Sequence, residues 1–375
     1  RWTDTVKDLD IVATASDPGA LTRAAAELDL IETASTPGAN AVRLRTHNGI
    51  EVDLRVVEED QFGNVLQHLT GSKQHNVAVR EHAVKRGLHV SEYGILDDNT
   101  DITHRCATEQ EVYELLGLPY FEPELREGSE LSVPDTRLVS VEDLRGDLHS
   151  HTSASDGKAS VTEMAEAARG FGYEYLAVTD HSPGSAGGVP ADRLRFHIAE
   201  IRATEVDGIK LLAGSEVNIL PNGGLDYPDE LLAQLDWVVA SVHTSFRMSA
   251  VDMTKRIIAA VEHPHVHCIG HLSGRKLGTR AGYELDFDAI LEACLANGTL
   301  LEINANPLRR DINEGRARAA AQAGLPLAIN TDSHRVGGFG VARFGVATAR
   351  RAGLGPEAIA NARPWSEFRS LLKRP

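Results

Sequence analysis

Asp147-Leu148-His149-Ser150-His151-Thr152 closes a short apolar run and leads into Ser155-Asp156-Gly157. On a β-strand, side chains two apart leave the same face. His149 and His151 are therefore presented together as a two-pronged imidazole grip. A lone His-x-His is weak evidence for metal, because such pairs also occur on ordinary surfaces. The pattern returns downstream. Tyr175-Leu-Ala-Val-Thr-Asp-His181, Trp237-Val-Val-Ala-Ser-Val-His243 and Cys268-Ile-Gly-His271 are apolar runs ending in histidine. Leu211-Leu-Ala-Gly-Ser-Glu216 ends in a carboxylate, and Leu327-Ala-Ile-Asn-Thr-Asp332-Ser-His334 ends in both. Chance does not place a His, Asp or Glu at the carboxyl end of each of these strand-like runs.

From Gly146 onward the chain keeps one rhythm of apolar run, polar loop and amphipathic stretch, seven times over. The spacing predicts helices near 161–170, 191–206, 229–235, 250–262, 286–296, 314–323 and 340–352. Buried strands alternating with helices argue for parallel strands joined by crossover helices. Ligand-type residues at every strand's carboxyl end argue for a closed barrel, whose active site lies on that face.

The candidate ligands are His149, His151, Asp156, His181, Glu216, His243, His271, Asp332 and His334. They are too many for a single ion of ordinary coordination. Imidazole mixed with carboxylate suits Zn, Mn or Fe better than Mg. Glu216, lying between histidine sets, is a natural bridge between two ions. Two or three such ions would clamp a phosphoryl group and provide a nucleophile at neutral pH.

The first part of the chain reads differently. Lys7–Ala13 runs as a strand, and Pro18–Leu28 has a helical pattern. Asn40–Arg45, a turn at His47-Asn48-Gly49, and Ile50–Val57 carry a hairpin signature. Asp8 and Asp10 share one strand face and Asp53 lies on a neighbouring strand. Carboxylates converging from paired strands make a hard-oxygen site suited to two Mg²⁺ ions. The plainer reading makes Asp10 a strand-edge residue and Asp53 part of a solvated face. Farther on, Asp97-Asp98-Asn99 reads as a turn and Glu109–Leu116 as a helix. Pro119, Glu122-Pro123-Glu124 and Val133-Pro134 then mark 119–144 as a linker.

Across 375 residues the formal net charge is −16. Residues 1–130 hold 12 Lys+Arg against 24 Asp+Glu, and residues 131–375 hold 26 against 30. An acidic chain is a poor unassisted binder of nucleic acid, since phosphate contacts need cations; bound divalent metal would offset part of the charge. No apolar run is long enough to span a membrane. Cys106, Cys268 and Cys294 show no paired spacing, and a reducing, cytoplasmic setting fits them. The chain opens at Arg1 without a signal-peptide pattern, which predicts a start inside a larger protein or a cut chain.

Asp8-Leu-Asp10, Val52-Asp53-Leu-Arg-Val, Thr70-Gly71-Ser72-Lys73-Gln-His-Asn76-Val-Ala-Val-Arg80 and Ser91-Glu-Tyr93-Gly, in that order, resemble the palm and thumb of family X DNA polymerases. The resemblance covers about residues 1–120. It implies a partial palm over 1–57 and a thumb over 58–118. It implies that Asp8, Asp10 and Asp53 hold Mg or Mn for nucleotidyl transfer. Gly71, Ser72 and Asn76 would face the incoming nucleotide, and Arg80 the template base. His68-Leu69 stands where the family has an aromatic pair. The stretch preceding the family's catalytic strand, with its fingers and DNA-binding module, would precede Arg1.

The strand-end motifs of 145–375 are similar to those of the PHP (polymerase and histidinol phosphatase) family: Asp147-Leu-His149-Ser-His151-Thr, Thr179-Asp180-His181-Ser, Gly214-Ser-Glu216-Val-Asn, Ser241-Val-His243-Thr-Ser, Gly270-His271 and Asn330-Thr-Asp332-Ser-His334. The resemblance implies a distorted seven-stranded β/α barrel with up to three Mn or Zn ions. His149, His151, Glu216 and Asp332 would bind one ion, Glu216, His243 and His271 a second, and Asp156, His181 and His334 a third. Asp156, where many members have His, matches the members attached to bacterial and archaeal family X polymerases.

The expectation is thus an α/β barrel, preceded by an α+β palm and thumb, that removes nucleotides or blocks from DNA 3′ ends beside a polymerase using deoxynucleoside triphosphates. Arg275 and Arg309, with Arg310, are candidate phosphate contacts, or solvated surface arginines. The loop Ser182–Pro190 is a mobile cover or a plain connector. An alternative function is a phosphatase for a small phosphate ester with an idle polymerase remnant.

Overall fold

The apolar runs that end in ligand-type residues form seven parallel strands in sequence order. They are β8 (Gly146–Ser150), β9 (Tyr175–Val178), β10 (Lys210–Asn218), β11 (Trp237–Ser241), β12 (Cys268–Ile269), β13 (Leu300–Asn304) and β14 (Leu327–Asn330). These belong to the second of two compact units into which a computed structural model divides the chain, Arg1–Val133 and the part from Pro134 onward. The structure describes residues 1–373. The crossover helices are α5 (Val161–Gly170), α6 (Ala191–Ala203), α7 (Asp229–Leu232), α8 (Ala250–Val261), α9 (Phe287–Asn297), α10 (Glu314–Gln322) and α11 (Ala342–Arg351). Most begin where a side chain can satisfy the first free N–H groups. Ser160 caps α5 in a capping box with Glu163, and Ser249, Asp286 and Asn313 cap α8, α9 and α10.

Alternation along the strands sorts the core into two layers. One side chain or more from every strand, including Leu148, Tyr175, Leu212, Trp237, Cys268, Leu300 and Ala328, fills the barrel interior. Phe368, on the short closing helix α12 (Trp365–Phe368), stacks on Tyr175 with ring centroids 4.5 Å apart. Neighbouring strand residues such as Leu176, Val238 and Leu301 face the helices instead. The interior is therefore packed with apolar groups at its base, and the polar groups collect at the carboxyl ends.

The barrel is nearly closed. β8 and β14 are the two ends of the strand order, and side chains stitch them together. Asn330 Oδ1 accepts the Leu148 N–H at 3.1 Å, and Asn361 Nδ2 donates to the carbonyls of Gly146 and Ile329, each at 2.7 Å. One bridge, Ser150 to Ser333, lies higher on the seam. The pairing of β8 with β9 shifts register between Asp147 and Ser150. That irregularity lets consecutive residues both turn inward: Leu148 joins the apolar interior and His149 the polar centre above it.

In the first unit, β1 (Asp8–Ala13), β2 (Ile31–Ala34), β3 (Ala41–Thr46) and β4 (Glu51–Val56) form a sheet in the order β1-β4-β3-β2, with β1 parallel to β4. Val42, Leu44, Val52, Leu54 and Val56 are buried on one face, against α1 (Pro18–Ala26). Strict alternation leaves Arg43, Asp53 and Arg55 on the other. The helices α2 (Phe62–Thr70), α3 (Lys73–Val84) and α4 (Glu109–Leu115) accompany a second sheet of β5 (Leu88–Ser91), β6 (Gly94–Asp97) and β7 (Ile102–His104). Val79, Ile95, Val112, Tyr113 and Phe121 are at the centre of this part.

The linker expected over 119–144 is largely folded. Phe121 and Arg126 are wholly buried in the first unit, where Arg126 donates to the Phe121 carbonyl at 2.9 Å, pairs with Glu109 and lies over the rings of Tyr113 and Tyr120. Val139 and Leu144 belong to the barrel core. Residues 127–137 keep most of the exposure. Prolines end regular structure, but they do not stop the aromatic and aliphatic residues between them from burying.

Candidate metal centre

The carboxyl end of the barrel gathers the nine candidate ligands, with Glu216 among them. Glu216 Oε2 lies 3.3 Å from His149 Nε2, 3.6 Å from His151 Nε2 and 2.8 Å from His181 Nδ1. Its other oxygen, Oε1, lies 3.2 Å from His243 Nε2 and 2.9 Å from His271 Nε2. One carboxylate thus presents its two oxygens to two different sets of imidazoles. Asp332 Oδ1 is 3.2 Å from His151 Nε2 and 3.8 Å from His149 Nε2. Asp156 Oδ1 lies 3.3 Å from His334 Nε2 and 3.7 Å from His181 Nε2.

Among the described residues, three groups bring their ligand atoms within 4.8 Å of one another: His149 with His151 and Asp332, His181 with Glu216 and His243, and His151 with Asp156, His181 and His334. They share members, as a cluster of adjoining sites would. His149 Nε2, His151 Nε2 and Glu216 Oε2 are buried without a hydrogen-bond partner. Buried polar atoms are ordinarily paired. Bare imidazole nitrogens facing a bare carboxylate oxygen are the donor set of a divalent metal ion, and the residues fit one.

Electrostatics hold the cluster's carboxylates charged, and although burial opposes it, Glu302, Glu216 and Asp332 hold the His149 imidazole well above its ordinary range. Burial pushes Glu216 toward the neutral acid, but the charges of His243, His149 and His181 outweigh it, and the carboxyl is held well below its ordinary range. Asp332 behaves likewise, burial being outweighed by His149 and His151. Burial, with Arg309 nearby, pushes the His271 imidazole down to about 4, so it stays neutral, the form that ligates.

Several residues that hold the ligands were not legible in the sequence. Glu302 on β13 receives His149 Nδ1 at 2.7 Å. Asn218 Oδ1 meets His243 Nδ1 at 2.6 Å. Asp180 accepts the Thr152 N–H and hydroxyl at 2.8 and 2.6 Å, and His197 Nε2 at 2.8 Å, which fixes the turn carrying Asp156. Asn218 and Asp180 do sit beside ligands in Glu216-Val-Asn218 and Asp180-His181, a signal that proximity to a ligand could have given.

The cleft over the centre has a volume of about 450 Å³ and is lined by, among others, Asp156, His243, Asn306, Lys276, Arg309 and His334. Arg309 Nε lies 3.5 Å from Asp332 Oδ2, so it borders the ligands. Arg275 does not line the cleft. Its guanidinium donates to the carbonyls of Arg309, at 2.8 Å, and Arg310. Arg310 is buried against Thr348, with its Nη2 3.2 Å from the hydroxyl. Lys276, next to Arg275, takes the place at the cleft.

In the first unit, Asp10 stands opposite Asp53 across the parallel β1–β4 pair, with Asp8 two residues before it. Burial, then Asp8 and Asp53, raise the Asp10 carboxyl, the mark of like charges brought together. Asp53 also accepts Arg43 Nε at 2.8 Å. A pocket of about 690 Å³ is lined by Arg43, Asp53, Arg55, Glu92 and Tyr93, among others. Gly71 and Ser72 form the turn between α2 and α3, where Ser72 caps α3 and Gly71 takes a φ of +66°. Asn76 Nδ2 donates to the His68 carbonyl at 2.7 Å, and Arg80 Nη2 lies 3.3 Å from His68 Nδ1. The four residues are thus gathered around the end of α2. None of the groups with ligand atoms mutually within 4.8 Å, among the described residues, includes the three aspartates.

Comparison with known proteins accounts for both units. The DNA polymerase beta thumb family matches residues 65–127, and the PHP domain family matches residues 147–306. A probable phosphatase of Thermoanaerobacter sp. (strain X514) is 31% identical over 228 residues, covering 57% of this chain and 89% of its own. A Leishmania infantum polymerase beta ternary complex aligns with 32% of the chain and 61% of its own at 22% identity and a TM-score of 0.26, a likeness too slight to bear on the fold. The DNA polymerase/3'-5' exonuclease PolX of Bacillus subtilis is 38% identical over 383 residues, spanning 100% of this chain and 67% of that protein. With that identity along its whole length, the chain belongs to the PolX family, in which a family X polymerase is joined to a PHP domain.

Proposed function

We propose that the barrel is a metal-dependent phosphoesterase that shortens or cleans DNA 3′ ends, and that Asp8, Asp10 and Asp53 form the nucleotidyl-transfer site of a repair polymerase. The single observation that carries the first part is the set of buried, unpaired ligand atoms around Glu216. Up to three Mn or Zn ions suit the nine-residue cluster, and Mg or Mn suits the all-carboxylate site on β1 and β4. Bound cations would supply Lewis acidity and offset the charge of a phosphodiester.

The chain's own residues do the rest. Asn218 fixes His243 so that its Nε2 faces Glu216. Asp180 holds the turn that carries Asp156 at the cleft mouth. Arg309 and Lys276 line the wall where a phosphate's negative charge is otherwise met only by ligands and neutral side chains. In the first unit, Asn76 and Arg80 are held near the Gly71-Ser72 turn, a placement that supports nucleotide contacts. The domains that follow are a partial palm over 1–57, a thumb beginning at 58 and a barrel from 145. DNA and deoxynucleoside triphosphates are the proposed substrates, as the name of the Bacillus subtilis relative suggests.

The test uses purified protein with Mn²⁺ and a 5′-labelled primer on gapped DNA, with and without nucleotides. The reading expects a ladder of shortened primers that His243→Ala abolishes while circular dichroism stays unchanged, and nucleotide-dependent extension that Asp53→Ala abolishes. An unchanged ladder in the His243 variant sinks the exonuclease assignment. DNA left intact while a small phosphate ester is hydrolysed would favour the phosphatase reading, to which the probable phosphatase relatives lend support.

A further inference from the structure

Glu302 is wholly buried on β13, and no ligand set above includes it. Both of its oxygens are occupied. Oε1 receives His149 Nδ1 at 2.7 Å and Asn330 Nδ2 at 3.0 Å. Oε2 receives the His271 backbone N–H at 2.7 Å and Asn304 Nδ2 at 3.1 Å. Glu216 differs: Oε1 meets His271 Nε2 at 2.9 Å, while Oε2, 2.8 Å from His181 Nδ1, is buried with no hydrogen-bond partner. A carboxylate filled by N–H donors has nothing left for a cation, whereas a bare one among imidazoles has. The two buried glutamates of this centre therefore have different jobs.

We propose that Glu302 is the positioning residue of the centre, setting ligands of two different ion sites at once. Toward His149 it is an acceptor, so the imidazole carries its proton on Nδ1 and leaves Nε2 bare toward Glu216 and Asp332. Toward His271 it holds the peptide. His271 has a φ of +28°, a backbone conformation that a residue with a β-carbon rarely takes, and the bond from its N–H to Glu302 keeps it there with Nε2 on Glu216 Oε1. Asn304 Nδ2 also reaches Asp332 Oδ2 at 3.2 Å, which extends the same network to a third ligand. Partners of this kind, behind the ligands, orient the imidazole and raise its basicity.

The inference rests on reading the cluster as a metal centre, and it needs no assumption about the substrate. Glu302→Gln tests it well. All four partners are donors, so the amide NH₂ of glutamine meets N–H groups whichever way it turns. If it turns toward His149, that imidazole must move its proton to Nε2 and ceases to be a ligand. We expect the full-length Glu302→Gln chain, titrated with Zn²⁺ against a chromophoric chelator, to bind roughly 10–100-fold more weakly than wild type. Histidine ¹⁵N NMR of the metal-free wild type, at a pH where the imidazole is neutral, should show His149 protonated on Nδ1 alone, a tautomer that a merely space-filling Glu302 would not set. It also answers the question should the variant fail to fold. A wild-type titration curve in the variant, or neutral His149 protonated on Nε2 in the metal-free wild type, overturns the proposal. If wild type itself retains no Zn²⁺, the metal reading falls, and this proposal with it. Loss of DNA cleavage alone leaves these titrations intact and touches only the proposed substrate.

Discussion

Gly157 lies where a β-carbon would fall 2.6 Å from the His151 carbonyl oxygen and 2.7 Å from the Thr152 carbonyl carbon. Both are backbone atoms, so neither can swing aside. The turn from Thr152 to Lys158 is closed this tightly because the Gly157 N–H bonds the Thr152 carbonyl at 2.9 Å and the Lys158 N–H bonds the His334 carbonyl at 2.8 Å. Asp156 rides on that turn, half-exposed, between His181 and His334. Gly157→Ala should therefore cost about 1–3 kcal/mol of stability and displace Asp156. Urea unfolding of the metal-free protein reads the first effect, and the metal content per chain after dialysis reads the second. Full ion content at wild-type stability would mean the turn has more room than its contacts allow. His68 shows how one residue organises several others: its carbonyl takes Asn76 and its ring takes Arg80.

At the scale of elements, α3 carries a titrating group into the first unit's core. His75 is wholly buried, with Nε2 2.8 Å from the Tyr113 hydroxyl. Burial, and then the Arg126 guanidinium, push its imidazole down to about 4. In the unfolded chain it titrates near 6.5. The folded state thus resists a proton that the unfolded state accepts, so the stability linked to His75 is complete above the unfolded value. It is lost progressively as the pH falls from about 6.5 to about 4, by up to roughly 3 kcal/mol. His75→Gln should flatten the pH dependence of this unit's denaturant midpoint over that window; an unchanged slope would assign the proton uptake elsewhere. The elements also show what could be read in advance. The strand-end candidate ligands were legible because each apolar run stops at a polar residue, and a strand's end is where a parallel barrel places its site. Glu302 was not, because it lies inside Leu300–Asn304 and periodicity gives no reason to expect a charge there to be saturated. Arg275 and Lys276 are neighbours in an irregular loop, where no period says which side chain turns to the cleft. The proline-rich stretch read as a linker because its breaks are plain in the sequence and the burial of Phe121 and Val139 is not.

For the whole molecule, the two units have separate cores, and among the described residues the grouped ligand atoms lie in the barrel. Metal binding therefore stabilises them unequally. An ion present at a hundred times its dissociation constant adds about 2.7 kcal/mol to the state that binds it. Differential scanning calorimetry should show the barrel's transition moving up with Mn²⁺ or Zn²⁺ and down with a chelator, while that of Arg1–Val133 stays in place. Equal movement of both would mean that the units unfold as one. Among the described residues no helix is long and apolar enough to cross a membrane. The excess of acid in residues 1–130, 24 Asp+Glu against 12 Lys+Arg, also means that DNA held there must be held through cations, so affinity should follow divalent concentration as well as salt.

The seam between β8 and β14 is made by side chains and a single bridge, with Asp147 accepting from Thr331 beside the amides of Asn330 and Asn361. His149 and His151 come from one lip of that joint, and Asp332 and His334 from the other. Ions held between them would act as rivets. Stripped of metal, the strands would form a strip whose ends are sewn; loaded, they would form a hoop. The part of the molecule fitted for chemistry would then also be its fastening, and a cell short of metal would lose some of the barrel's stability along with its activity.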